Sequence, residues 1–171
     1  LLKLLHLSVT NRDGEYSQKF MREKIKTLTE MSKILERLRK KDTSTVFVNG
    51  CFDLLHVGHT RYLQAARNLG DILVVGLNGD KSVRQLKGPQ RPLMNQQERA
   101  AILSALRWVD YIVIFDDLTA DKVLRALKPD FHAKGTDYTR ATVPERETVL
   151  EYGGQIAIVG DPKNHSTRQI L

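Results

Sequence analysis

The sequence predicts an α/β protein, a parallel sheet with helices on both faces, preceded by an N-terminal amphipathic helix. Three observations carry that prediction. From Thr45 onward, short apolar runs alternate with helical segments, the pattern of repeated βαβ units. Ahead of them, Met31, Ile34, Leu35 and Leu38 fall at helical spacing within residues 29–40. The length of 171 residues suits one compact domain and is too short for two ordinary ones.

Taken in order, residues 1–18 show no sustained period and contain the turn signal Asn11-Arg12-Asp13-Gly14. Residues 1–25 are therefore expected to be a tail or linker remnant, and residues 26–171 the domain. The first residue is Leu1 and not Met, which keeps open that the chain is a fragment or an excised domain. The amphipathic helix follows, with Thr29 as its expected N-cap. Strands are expected at 45–49, 71–77, 110–115, 130–133 and 155–159. Helices are expected at about 58–69, 79–86, 95–107, 119–128 and 144–152, with a last one starting near Ser166. Right-handed crossovers make a Rossmann-like sheet the economical way to join these units. In such a sheet ligands bind at the carboxyl ends of the strands, where strand order reverses.

Composition narrows the function classes. The chain is 41% hydrophobic and 27% charged, the profile of a soluble globular protein. No stretch approaches the ~20 apolar residues of a membrane span, so no membrane partner is expected. The apolar start, Leu1 to Leu7, lacks a basic leader and a small-residue cleavage site, so it is not read as a secretory signal. The single cysteine, Cys51, excludes an internal disulfide and fits a reducing cytoplasm. The net charge of +7 raises a nucleic-acid reading. Yet Lys19–Lys41 holds nine basic and three acidic residues, against sixteen and fifteen in residues 42–171. The excess belongs to one segment, which reads as a solvated helix face before it reads as a nucleic-acid footprint.

The first βα junction carries the chemistry. It reads Asn49-Gly50-Cys51-Phe52-Asp53-Leu54-Leu55-His56-Val57-Gly58-His59. Gly50 permits a sharp turn where backbone must approach a phosphate. His56 and His59 lie three positions apart at the mouth of a helix beginning near Gly58, so both imidazoles can face one spot. That spot is also a helix N-terminus, which favours an anion. Two histidines there can donate hydrogen bonds to nucleotide phosphates and stabilise charge that builds at the α-phosphorus as pyrophosphate leaves. If the nucleophile is a phosphate monoester, no general base is needed, because its second pKa is about 6. Histidines satisfied locally, or a zinc pair, are the competing reading. Cys51 is read as a small, partly buried residue beside the site and not as a nucleophile, since no neighbour is evident to lower its pKa.

GCFDLLHVGH resembles the signature of the cytidylyltransferase-like superfamily of HxGH nucleotidyltransferases. Met31-Ser32-Lys33 looks like a second motif of the related class I aminoacyl-tRNA synthetases, but it precedes the histidines, on a helix, and is read as coincidence. Three further runs, Asn78 to Pro92, Val109 to Phe115 and Lys134 to Thr139, occur in order at family-like spacing. Together they resemble the adenylyltransferase domain of the bifunctional heptose kinase/adenylyltransferases, over about Lys26 to Leu171. That resemblance implies transfer of AMP from ATP to a sugar 1-phosphate, D-glycero-β-D-manno-heptose 1-phosphate in the family, with release of pyrophosphate. Mg²⁺ is expected to come with the triphosphate, and no side-chain metal site is assigned. The expected partners are ATP and a sugar phosphate, with a homo-oligomer, a dimer favoured.

The resemblance also assigns residues. Asn49, Gly50, Cys51, Phe52, Asp53 and Gly58 belong to the nucleotide signature, with His56, His59 and Lys87 as catalytic groups. Lys87 is placed on a loop after the second strand, where its ammonium reaches phosphate; a solvated lysine is the competing reading. Lys134, Gly135 and Asp137, after the fourth strand, would meet the base and ribose, although Asp137 also reads as a structural cap. Ser166 and Thr167 would donate to the β- and γ-phosphates, or act as ordinary N-caps. The family's second Thr is replaced there by Arg168. Asp53, Lys87 and Arg107 are candidates for the acceptor. Arg107 matches an arginine of glycerol-phosphate cytidylyltransferases, which keeps a CTP-dependent enzyme acting on glycerol 3-phosphate or a similar acceptor as the alternative. A helix C-terminal role is equally open for Arg107. A non-catalytic nucleotide- or nucleic-acid-binding module is a third reading.

Overall fold

The computed structural model describes residues 23–161. Its elements are β1 (Ile25–Lys26), α1 (Leu28–Arg39), β2 (Thr45–Gly50), α2 (Val57–Arg67), β3 (Ile72–Asn78) and α3 (Asp80–Lys87). There follow α4 (Gln96–Ser104), β4 (Tyr111–Phe115), α5 (Asp121–Leu127), β5 (Phe131–Lys134), α6 (Arg146–Glu151) and β6 (Gln155–Ile158). The strands form one sheet in the order β1-β4-β3-β2-β5-β6, and every pairing is parallel. This is the Rossmann-like architecture that the alternating pattern predicts.

Side chains alternate across the strands, so each face of the sheet gathers its own core. Val46, Val48, Leu73, Val75 and Leu77 pack with Leu63 and Ala66 of α2 and Ala100 and Leu103 of α4. Phe47, Val74 and Val113 face the other way, against Met31 and Leu35 of α1, Val123, Leu124 and Leu127 of α5 and Val149 of α6. The N-terminal helix is thus a layer of the domain. Its basic residues Lys33, Arg37, Arg39 and Lys40 are exposed while Met31 and Leu35 are fully buried, the arrangement of a packing helix with a solvated outer face.

Two expectations at this end are corrected. The N-cap of α1 is Thr27, not Thr29. Thr27 Oγ1 accepts from the Glu30 N–H at 3.2 Å, and a Glu30 carboxylate oxygen accepts from the Thr27 N–H at 2.8 Å. The Thr27-x-x-Glu30 capping box was the available signal. The two-residue strand β1 carries no period and escapes sequence reading altogether. It pairs Ile25 with Ile112, so the sheet already includes a residue expected to lie in the tail. The helix expected near Ser166 lies outside the described residues. Among the described residues, no helix is long and apolar enough to cross a membrane.

β2 lies between β3 on one side and β5 on the other, and this is where strand order reverses. The crevice at the carboxyl ends therefore opens between Asn49–Gly50 and Lys134.

Candidate active site

The chain leaves β2 through a tight loop. Phe52 takes a left-handed φ of 44°, a conformation uncommon outside glycine, and its ring folds back over Gly50. A Cβ added at Gly50 would lie 3.1 Å from that ring. The loop delivers His56 to the N-cap of α2 and His59 to its first turn. Their rings stand 3.9 Å apart centroid to centroid, tilted by 33°, and Phe52 backs His59 at 5.4 Å. The expected convergence of the two imidazoles is what the helix spacing produces.

The His56 backbone N–H donates to His59 Nδ1 at 3.4 Å, so the neutral His59 ring carries its proton on Nε2. Burial, reinforced by the neighbouring His56, lowers the pKa of His59 to about 4. His59 is therefore a neutral hydrogen-bond donor at pH 7. Gly58 sits between the two histidines in the first turn of α2, where backbone N–H groups lie ahead of the intrahelical ladder.

Across the switch point, Lys134 at the end of β5 donates to Asn49 Oδ1 at 2.9 Å and pairs with Glu145 Oε2 at 3.1 Å. His132 Nε2 lies 3.5 Å from the same carboxylate. Burial alone would raise the pKa of Glu145, but its bonds to His132 and Lys134 outweigh that and bring it to about 2. Burial likewise lowers the pKa of His132. Tyr62 of α2 braces the strand beneath, its hydroxyl donating to the Ala133 carbonyl at 2.7 Å.

Asp53 faces protein. Its carboxylate accepts from Arg91 at 2.9 Å, from the Leu93 N–H at 2.8 Å and from the Met94 N–H at 3.1 Å, tying the 91–94 segment to the histidine loop. Arg99, on the buried side of α4, completes the brace. It donates to the carbonyls of Cys51, Asn78 and Met94 and pairs with Asp80 at 2.7 Å. Sequence reading missed Arg91, Arg99, His132 and Glu145. The one signal was Arg99 itself, a charged residue on the same helix face as Ala100 and Leu103.

Lys87 is not on a loop. It is the last residue of α3, exposed, and Gly88 ends the helix at φ 100°. Its charge is felt at Cys51, where burial raises the thiol pKa and Lys87 and Arg99 oppose that rise. A raised pKa agrees with Cys51 being no nucleophile. Gly135 follows β5, and among the described residues a Cβ there would meet nothing within 4 Å. Asp137 is exposed two residues further on. Arg107 requires a correction. It lies in the turn between α4 and β4, at the amino ends of the strands, opposite the histidines, so this chain does not bring it to the site. Ser166 and Thr167 lie outside the described residues. The segment before them is anchored near the site, with Thr136 donating to the Asp161 carbonyl at 2.9 Å and Arg61 pairing with Asp161 at 3.0 Å.

A family model described as cytidylyltransferase-like matches residues 47–166. The chain belongs to the cytidylyltransferase-like family. Membership makes it a nucleotidyltransferase by fold and signature. Among curated relatives of this cytidylyltransferase-like chain is the bifunctional protein HldE of Syntrophotalea carbinolica. It is 46% identical over 167 residues, covering 98% of this chain and 33% of that protein. HldE of Pelobacter propionicus is 50% identical over 148 residues, covering 86% of this chain and 30% of the relative. The chain thus spans about a third of the length of these relatives. Of solved structures, a lipopolysaccharide core biosynthesis protein from Thermoplasma volcanium aligns with a TM-score of 0.57 and 31% identity, over 68% of this chain and 94% of that one. Pantoate-beta-alanine ligase from Francisella tularensis shares the fold at 15% identity, with a TM-score of 0.55 over 85% of this chain and 74% of the other.

Proposed function

We propose that the chain transfers AMP from ATP to a sugar 1-phosphate, D-glycero-β-D-manno-heptose 1-phosphate, yielding an ADP-sugar and pyrophosphate. The observation that carries the reading is the stacked His56–His59 pair at the N-terminus of α2, with His59 neutral and its proton on Nε2. A phosphate oxygen of the acceptor attacks the α-phosphorus in line. The bond from that phosphorus to the oxygen bridging to the β-phosphate breaks, and pyrophosphate leaves with that electron pair. His56 and His59 donate hydrogen bonds where negative charge grows, and their fixed placement spares reorganisation during the reaction. The acceptor is largely dianionic at neutral pH, so no residue needs to remove a proton.

Lys87 adds a positive charge beside the Cys51 loop, toward the phosphates. The open space next to Gly135 supports a ligand passing close to that backbone, since among the described residues nothing lies within 4 Å of a Cβ placed there. Mg²⁺, bound with the triphosphate, would supply further charge neutralisation. The Asp53 carboxylate of the histidine loop is itself engaged by Arg91. The heptose acceptor is supported by the HldE relatives and by the Lys134 to Thr139 run.

The test is pyrophosphate release with each of the four nucleoside triphosphates against a panel including heptose 1-phosphate and glycerol 3-phosphate. ATP with the heptose phosphate is expected to lead. Equal or faster turnover with CTP on any acceptor would replace the adenylyl assignment by the cytidylyl one.

A further inference from the structure

His132, Lys134 and Glu145 form a polar cluster whose members are 0%, 6% and 3% exposed, directly beneath the switch point. Burying an ammonium is costly unless a counter-charge and hydrogen bonds accompany it. Glu145 provides the counter-charge, with Oε2 at 3.1 Å and Oε1 at 3.4 Å from Lys134 Nζ. Lys134 then spends one N–H on Asn49 Oδ1. An ammonium only donates, so the Asn49 atom facing it must be the oxygen. The Asn49 amide nitrogen is thereby turned away from the Lys134 ammonium. Were the amide free to turn over, its oxygen would confront acceptor-only phosphate oxygens, which repel it.

We propose that Glu145 is a positioning residue for the nucleotide: through Lys134 it locks the Asn49 amide with its N–H groups offered to an acceptor oxygen of the bound nucleoside triphosphate. Glu145 itself touches no ligand. The proposal rests on the nucleotidyl-transfer reading and names a residue outside the histidine signature. Its carboxylate stays ionised throughout the working pH range, because His132 and Lys134 together overcome the cost of burying it.

The experiment is calorimetric titration of the full chain with a non-hydrolysable ATP analogue, for Glu145→Gln, Lys134→Met and the double variant, with melting curves alongside. Glu145→Gln is expected to weaken analogue binding about tenfold or more, the scale of one lost charge-assisted hydrogen bond. In turnover assays it should raise KM for ATP more than it lowers kcat. In the Lys134→Met background the same substitution should cost no further affinity, because the relay is already cut. A purely structural role would lower melting temperature and leave the affinity of the folded protein unchanged. Wild-type affinity in folded Glu145→Gln, or full additivity with Lys134→Met, would overturn the proposal. Should Glu145→Gln fail to fold, Asn49→Ala and Lys134→Met take its place, and additive losses between them overturn it equally. Failure of the unaltered chain to bind any nucleoside triphosphate would instead reject the functional reading, and this inference with it.

Discussion

Replacing His59 by alanine tests the mechanism at its centre, and the structure sets the size of each effect. The ring is neutral and donates through Nε2, so its loss removes one preorganised donor, which costs roughly 10²–10³ in rate. Because that donor acts on charge developed in the transition state, kcat and kcat/KM should fall together. The ring also packs on His56 and Phe52, at 3.9 and 5.4 Å, and contacts of this kind contribute about 0.5–1.5 kcal/mol beyond area burial. A small drop in melting temperature should therefore accompany the rate loss. The pH dependence has a definite sign. The folded pKa of about 4 lies below the 6.5 of a free imidazole, so the unfolded chain takes up the proton first. Stability contributed by neutral His59 is present above pH 6.5 and drains away as pH falls toward 4. Its full size, from the difference between those two values, is up to about 3 kcal/mol. Pyrophosphate release at pH 7.5, with denaturant unfolding at pH 7.5 and 4.5, reads all three. Folded His59→Ala that turns over at the wild-type rate would refute the catalytic role. An unfolding free energy whose pH dependence is unaltered by the substitution would refute the buried neutral imidazole.

Arg99→Met strands the Asp80 carboxylate and the carbonyls of Cys51, Asn78 and Met94, and breaking a buried charge pair of this kind costs about 3–5 kcal/mol. Denaturant melts should show it; a loss below about 1 kcal/mol would mean the brace is dispensable. Asp53→Ala releases Arg91 and two backbone N–H groups, so stability should fall by about 1–3 kcal/mol along with activity. Lost activity at unchanged stability would instead mark Asp53 as a ligand-contacting group. Lys87→Ala, at an exposed helix end, should leave the melting temperature unchanged and raise KM for at least one substrate in steady-state assays. Leu35→Ala, fully buried between α1 and the sheet, should destabilise by about 2–5 kcal/mol and leave kcat of the folded fraction intact, as activity normalised to folded protein would report.

How much of this was readable in sequence depended on the range of the interaction. Strand and helix order, both faces of the sheet and the packing of Met31 and Leu35 follow from periodicities of two and 3.6 residues, and each is written in consecutive positions. The His56–His59 pair is equally local, since three residues on a helix bring two rings to one face whatever the rest of the chain does. Local signals failed where the element was short or its end chemistry was passed over. The strand Ile25–Lys26 has too few residues to show a period, and the Thr27–Glu30 box was there to be read but lost to the nearer threonine.

Tertiary structure alone decided which side chains reach the crevice and which are held by other parts of the protein. Asp53 lies inside the histidine signature, yet its carboxylate is taken by Arg91 and two backbone N–H groups, at sequence separations of 38, 40 and 41. Arg107 lies in an αβ turn; a parallel sheet has two ends, and the direction of β4 puts that turn at the one opposite the histidines. Lys134 joins Asn49 across 85 residues, and Glu145 reaches Lys134 only because the chain turns back after β5. A charge has no period and its partner can come from any element. Sequence therefore determined the fold class, the family and the meeting of His56 with His59, whereas the braces that hold them exist only once the strands have found their order.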